Sequence, residues 1–166
     1  MKTVLLLRHA KSSWDAEHLP DYQRPLSERG ERDAPRMGKA LRKQGVLPDC
    51  ILSSPATRTR QTLEAVLQAA HLEVTPQFVD SLYGASAEEL QKQVCALPDT
   101  CSCVLMVGHN PGMEELVAQW TGEPEPMPTA ALASIGFDVR RWSEIKGAQG
   151  KLAWRLTPKH LDDNDT

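Results

Sequence analysis

The sequence predicts an α/β fold, with three layers in which helices flank a mostly parallel sheet. Three short and continuous apolar runs, at residues 3–7, 50–52 and 104–107, are typical of strands that are buried on both faces. Segments with helical periodicity separate these runs, and strands that alternate with helices favour a parallel sheet.

The remaining elements follow from local patterns. Apolar residues recur at helical spacing in four segments, and Ser86 with Glu89 forms a capping box at the start of one of them. We expect these helices over residues 27–44, 57–71, 86–97 and 111–120. Strands are expected at residues 131–139 and 152–156, and a less regular strand, interrupted by Pro76, at residues 73–79.

Length and composition predict one globular domain. The chain has 166 residues, of which 40% are hydrophobic and 25% charged. We expect the domain to span residues 1–160, followed by a frayed acidic tail at 161–166. The net charge of −3 argues against nucleic-acid binding. The apolar run at residues 4–7 is too short for a signal peptide or a membrane span, which predicts a cytoplasmic protein without membrane contact.

The cysteines are expected to be reduced packing residues. They are Cys50, Cys95, Cys101 and Cys103. An intracellular chain usually keeps its thiols reduced, and the C-x-C pair lacks the spacing of a structural zinc site. We therefore predict no disulfide, no metal and no cofactor.

Polar side chains follow each of the three buried strands. Arg8 and His9 end the first run, Arg58 lies just after the second, and His109 follows the third. The carboxyl ends of parallel strands meet at one edge of a sheet, so these residues could converge. Two arginines and two histidines suit phosphate, because guanidinium groups donate to phosphate oxygens in a matched fork.

His9 is the candidate nucleophile. A neutral imidazole can attack phosphorus and form a phosphohistidine, which divides one difficult step into two. Neighbouring arginines would lower the pKa of His9 and stabilise the transition-state charge without a metal. Taken alone, each of the four candidate residues has an ordinary structural explanation. His109 alone is typical of a structural histidine whose ring nitrogens are hydrogen-bonded.

Four motifs resemble those of the histidine phosphatase superfamily, which has the phosphoglycerate-mutase-like fold. Residues 7–12 (LRHAKS) resemble its Arg-His-Gly signature, and residues 53–62 (SSPATRTRQT) resemble its Ser-Ser-Pro-x-x-Arg signature. Residues 108–111 (GHNP) are similar to its second histidine site, and residues 25–30 (PLSERG) to the opening of its first helix. Within the superfamily, the short chain and the Arg-His-Ala-Lys-Ser-Ser-Trp opening are most similar to SixA-type phosphohistidine phosphatases.

The resemblance implies roles for five residues. His9 would carry the phosphoryl group, and Arg8, Arg58 and His109 would complete the phosphate pocket. Asp80 begins a stretch similar to the Glu-x-x-Tyr-Gly of mutase-type members and is a possible general acid. Three positions depart from the family pattern. Asp15 lies where mutase-type members often have a phosphate-binding asparagine, so that role is not carried over. Ala10 replaces the usual glycine, which implies a backbone that tolerates a methyl group, and Asn110 replaces the proton-donating aspartate of the acid-phosphatase branch.

The predicted function is metal-independent phosphohydrolysis through a phosphohistidine on His9, with protein phosphohistidine as the substrate. One alternative is a small-molecule phosphomonoesterase acting on a sugar or nucleotide phosphate. Others are a non-catalytic phosphate-binding module, and a metal-dependent hydrolase that uses His9, His109 and the C-x-C pair. The sequence makes no prediction of oligomeric state.

Overall fold

A six-stranded sheet forms the centre of the protein. The computed structural model describes residues 1–15 and 18–164, and side chains up to residue 161. The strands are β1 (Lys2–Arg8), β2 (Cys50–Ser53), β3 (Gln77–Phe78), β4 (Cys103–Gly108), β5 (Leu132–Phe137) and β6 (Lys151–Leu156). Their order is β3-β2-β4-β1-β5-β6. Neighbouring strands are parallel from β3 to β1, whereas β5 is antiparallel to both of its neighbours.

Helices cover both faces of the sheet. They are α1 (Glu28–Gln44), α2 (Thr57–Ala70), α3 (Ala87–Cys95), α4 (Gly112–Thr121) and α5 (Pro158–Asn164). The helices α1 and α2 pack against each other over one core cluster, and α3 and α4 over the other. The structure confirms the predicted three-layer α/β fold.

Strand β1 contributes to both cores, as its apolar run predicts. Val4 and Leu6 belong to the cluster under α3 and α4, while Leu5 and Leu7 belong to the cluster under α1 and α2. Side chains alternate between the faces of a strand, so a strand between two helical layers needs apolar residues at every position. All four side chains are fully buried, which anchors the strand that carries Arg8 and His9.

The start of helix α1 fixes the segment that follows His9. The Ser27 side chain accepts a hydrogen bond from the Gly30 amide and so caps the helix. Gly30 packs directly on the backbone of Lys11, where an added Cβ would overlap the Lys11 carbonyl oxygen. Glycine at this position therefore lets the helix approach the backbone two residues after His9.

Two boundaries differ from the predicted ones. The strand expected at residues 73–79 is limited to β3 (Gln77–Phe78), because Pro76 has no amide hydrogen for a longer ladder. Residues 161–164 of the tail that was expected to fray instead continue helix α5 (Pro158–Asn164), whose Leu161 packs against the core under α1 and α2. Residues 165 and 166 of that tail lie outside the described residues. Within the described residues, no helix combines the length and apolar character needed to cross a bilayer.

The prediction that all four cysteines are reduced is wrong for two of them. Cys50 and Cys101 form a disulfide, whereas Cys95 and Cys103 are free thiols. Strand β2 begins at Cys50 and pairs with β4, which begins just after Cys101, so the sheet register brings the two sulfurs together. The disulfide therefore joins the amino-terminal ends of two adjacent strands.

Candidate active site

The carboxyl ends of β1, β2 and β4 bring Arg8, His9, Arg58 and His109 together. The His9 amide donates to the Gly108 carbonyl at 3.1 Å, which places the residue after β1 beside the end of β4. The His9 and His109 ring centroids are 5.2 Å apart, and Arg58 Nη2 lies 3.5 Å from His109 Nδ1. The predicted convergence of the four residues is thus present in the structure.

The backbone of Ala10 sets the tautomer of His9. His9 Nδ1 lies 2.7 Å from the Ala10 carbonyl oxygen, which can only accept a hydrogen bond, so Nδ1 carries the proton. The lone pair is therefore on Nε2, the nitrogen available to attack phosphorus. Ala10 is fully buried and is absent from the described non-glycine residues with positive φ, which are His71 and Ala130. A methyl group is accommodated here, as predicted.

Both imidazoles are held in the neutral form. Burial lowers the pKa of His9 to about 3, with the charges of His109, Arg58 and Arg8 adding to the decrease and the Ala10 hydrogen bond opposing it. Burial and then the Arg58 charge lower the pKa of His109 to about 4. The predicted direction for His9 is confirmed, but desolvation is the main cause and the arginines are secondary.

His109 is oriented by Ser54 and Arg58. Its Nε2 lies 2.8 Å from the Ser54 hydroxyl, which belongs to the segment after β2. A guanidinium can only donate, so the contact between Arg58 and Nδ1 makes Nδ1 an acceptor and leaves the proton on Nε2. Ser54 is a site residue to which the sequence assigned no role, although it lies inside the Ser-Ser-Pro motif.

Arg8 has a buried guanidinium nitrogen without a hydrogen-bond partner among the described residues. Its Nη1 donates to the Met127 carbonyl at 3.1 Å, while its buried Nε has no hydrogen-bond partner among the described residues. Burial lowers the pKa of Arg8, and the charge of Glu114 opposes this. A buried donor without a partner is costly in the folded protein.

Asp21 is a site residue that sequence reasoning missed. It begins a short 3-10 helix, Asp21–Gln23, and its Oδ2 accepts hydrogen bonds from Arg58 Nη2 at 3.0 Å and from the Tyr83 hydroxyl at 2.6 Å. The Tyr83 ring in turn lies edge-on to His109, with centroids 5.5 Å apart. The hydrogen bond to Tyr83, followed by those to Arg24 and Arg58, lowers the pKa of Asp21.

Asp80 lies at the edge of this region. It is exposed at the start of a second 3-10 helix, Asp80–Leu82, which directly precedes Tyr83. Among the described residues, no hydrogen bond or ion pair links its carboxylate to Arg8, His9, Arg58 or His109. The role of Asp80 as an acid therefore stays a prediction.

Cys50, Cys101 and Cys103 lie at the opposite edge of the sheet, where β2 and β4 begin. Cys103 begins β4 and His109 follows its end, a separation of about 20 Å at the usual rise per strand residue. A single metal site made of His9, His109 and the C-x-C pair is therefore excluded. Within the described residues, the side chains that could together hold a metal are Asp49, Cys50 and Cys101, and the disulfide joins two of these three.

Comparison with known proteins identifies the class to which this fold and site belong. The sequence profile of the Histidine phosphatase superfamily (branch 1) matches residues 4–94, more than half of the chain. The match contains Arg8, His9 and Arg58 and ends before His109, which the structure adds to the same pocket. The chain belongs to the histidine phosphatase superfamily.

Full-length relatives refine this assignment. The chain is 30% identical over 168 residues to phosphohistidine phosphatase SixA of Escherichia coli K12, covering 95% of each sequence. A solved structure of the protein histidine phosphatase SixA complexed with tungstate superposes with a TM-score of 0.84 at 28% identity, covering 96% of this chain and 99% of the other. An uncharacterised chloroplastic protein of Arabidopsis thaliana is 37% identical over 166 residues, which are 93% of this chain and 75% of the relative.

Proposed function

We propose that the protein is a metal-independent phosphohistidine phosphatase in which His9 becomes transiently phosphorylated. The observation that carries this proposal is the state of His9. It is a buried, neutral imidazole with its Nε2 lone pair free, and the charges of Arg8 and Arg58 act on it. A nucleophile needs that lone pair, and the developing charge on the phosphoryl oxygens needs fixed donors.

In the first half of the reaction, His9 Nε2 attacks phosphorus and the bond to the leaving group breaks. When the substrate is phosphohistidine with a protonated ring, the electron pair of the broken P–N bond stays on the departing nitrogen, which leaves as neutral imidazole. The guanidinium of Arg8, whose charge acts on His9, would donate to a phosphoryl oxygen. Water then attacks the phosphorus on His9 and releases inorganic phosphate.

Asp21 is not the proton donor that a phosphomonoester substrate would need. An alkoxide leaving from a phosphomonoester needs a proton from a positioned acid. Asp21, the carboxylate bonded to Arg58, is held in its ionised form and has no proton to give. A protonated imidazole leaves without such an acid, which is consistent with the similarity to the SixA phosphatase.

A labelling experiment tests the proposal. Brief exposure to substrate labelled in its phosphoryl group should give a protein label that is acid-labile and base-stable, as expected for phosphohistidine. His9→Ala should abolish both the label and turnover. Turnover near the wild-type rate in this variant would reject His9 as the nucleophile.

A parallel substrate assay separates the proposal from its alternatives. Wild-type protein is assayed against a phosphohistidine-containing protein and against a panel of sugar and nucleotide phosphates. Preference for the first supports the phosphohistidine phosphatase, and preference for the panel supports a small-molecule phosphomonoesterase. No turnover of either, with phosphate still bound, supports a non-catalytic phosphate-binding module. The predicted cytoplasmic location stays a prediction.

A further inference from the structure

Arg58 is a buried cation whose counter-charge comes from a different part of the chain. Its side chain is 8% exposed, and its Nη2 donates to Asp21 Oδ2 at 3.0 Å. Its Nη1 donates to the backbone carbonyl of the same residue at 2.7 Å. Both ends of the guanidinium fork are therefore docked on one residue, which fixes the orientation of the donors that face the pocket.

Asp21 is itself held in place, although half of its side chain is exposed. Arg24 Nη1 donates to its Oδ1 at 2.9 Å, and Tyr83 donates to its Oδ2. Arg24 is buried and is fixed in turn by the Ser13 carbonyl and by the face of the Trp14 ring. Asp21 is thus a positioned carboxylate within a network, unlike a surface ion pair whose partners are free to separate.

We propose that Asp21 is a positioning residue with two effects: its carboxylate holds Arg58 in the orientation that stabilises the charge developing on the phosphoryl oxygens, and its negative charge limits the affinity of the pocket for phosphate. The inference rests on the proposed function only in taking Arg58 to be a phosphate ligand. It assigns Asp21 no direct contact with the reacting atoms.

Removing the charge of Asp21 should raise the affinity for phosphate and lower turnover. A phosphate dianion on Arg58 would lie within a few ångströms of the Asp21 carboxylate, because both anions bond to the same guanidinium. Repulsion between them weakens the binding of substrate and product phosphate alike. Orientation of Arg58, in contrast, matters most when charge develops on the phosphoryl oxygens, so its loss lowers turnover.

The test uses phosphate affinity and turnover together. Asp21→Asn removes the charge and keeps a hydrogen-bond acceptor, whereas Asp21→Glu keeps the charge on a longer side chain. In Asp21→Asn we expect the Kd for inorganic phosphate, from an NMR titration at low salt, to fall about 3- to 10-fold. The kcat for phosphohistidine should fall about 10-fold. Asp21→Glu should lower kcat and leave the phosphate Kd within about twofold of wild type.

Asp138→Asn is the matched control for the loss of one negative charge. Asp138 is exposed and follows Phe137, which pairs with Lys2 at the end of β1 remote from His9. Asp138→Asn should change neither the phosphate Kd nor the kcat for phosphohistidine.

Weaker or unchanged phosphate binding in a folded Asp21→Asn protein would overturn the proposal, because a purely structural role predicts that affinity and turnover fall together. If Asp21→Asn does not fold, a changed phosphate Kd in Asp21→Glu overturns it. A wild-type protein that binds no phosphate refutes both this inference and the proposed function. Phosphate binding that responds to Asp21→Asn as expected, without hydrolysis of phosphohistidine by the wild type, refutes the proposed function alone.

Discussion

Lowering the pH should destabilise the folded protein through its two active-site imidazoles. His9 and His109 are 7% and 8% exposed, and burial lowers their pKa values from 6.5 to about 3 and about 4. In the unfolded chain both rings take up a proton as the pH falls below about 6.5, whereas in the folded protein they stay neutral. The unfolded state then binds more protons, so stability falls with pH from about 6.5 down to the folded pKa values.

The loss of stability at pH 5 depends little on the exact pKa values of the two histidines in the folded protein, because both values lie below that pH. At pH 5 the pH is about 1.5 units below the pKa of each imidazole in the unfolded chain. This difference corresponds to about 2 kcal/mol of lost stability for each ring, or about 4 kcal/mol for the pair. A domain is typically stable by about 5–15 kcal/mol, so the loss should be easily measured.

Urea unfolding at pH 7 and pH 5, in phosphate-free buffer, measures this loss. Between the two pH values, wild type should lose about 2 kcal/mol more than His9→Gln, which has one titrating ring fewer. Ser54→Ala is the control, since it alters the same buried site and keeps both imidazoles; its pH dependence should match wild type. Equal losses for wild type and His9→Gln, or a His9 ring resonance that titrates near pH 6.5 in the folded protein, would refute the assignment of a neutral His9.

Three further predictions concern single residues. Arg58→Ala should lower steady-state turnover about 10²–10³-fold, which is the scale of losing one preorganised donor. A chelator should leave wild-type turnover unchanged. Activity that is lost in the chelator and restored by zinc or magnesium contradicts the metal-independent mechanism. If Asp80 supplies a proton, Asp80→Asn should lower the rate of alkyl phosphate hydrolysis about 10²–10⁴-fold and leave the rate of phosphohistidine hydrolysis largely unchanged. Unchanged rates on both substrates would show that Asp80 takes no part in the reaction. Cys50→Ser opens the disulfide to Cys101, 51 residues along the chain, and should lower the free energy of unfolding by about 2–4 kcal/mol without reductant. Because the disulfide lies at the edge of the sheet remote from His9, the turnover of Cys50→Ser should stay within about twofold of wild type. Equal free energies of unfolding for Cys50→Ser and wild type would show that the disulfide is not formed in solution.

The parts of the structure that were predictable from sequence are those with strong local patterns. Strand β1 was predictable because its apolar run, placed between two helical layers, has no polar position. Helix α1 was predictable because Ser27 caps its start and Gly45, in a left-handed conformation, ends it. The convergence of Arg8, His9, Arg58 and His109 followed from a general property of parallel sheets, in which carboxyl ends share one edge.

The parts that were missed depend on contacts across the chain. Asp21 lies between Pro20 and Pro25 in a segment without periodicity, and only its bonds to Arg58 and Tyr83 reveal its place in the site. The one signal in the sequence was Arg24, a charged residue next to a proline, which the structure shows to be buried beside Asp21. The disulfide joins cysteines 51 positions apart, and their proximity follows from the pairing register of β2 with β4.

Under the proposed mechanism, the charges of the site explain how one histidine can be neutral before the reaction and stabilised as a cation during it. In the free protein, burial and the arginines outweigh the Ala10 carbonyl, so His9 stays neutral with its Nε2 lone pair available. In the proposed reaction phosphate would reverse this balance, because a dianion bound to Arg8 and Arg58 would offset the charges that disfavour an imidazolium. If Nε2 bonds to phosphorus as proposed, positive charge would develop on the ring, and the Ala10 carbonyl already accepts the hydrogen bond from Nδ1. The hydrogen bond that selects the tautomer in the free protein is thus the one that would stabilise the phosphorylated ring, and no rearrangement of the backbone is required between the two states.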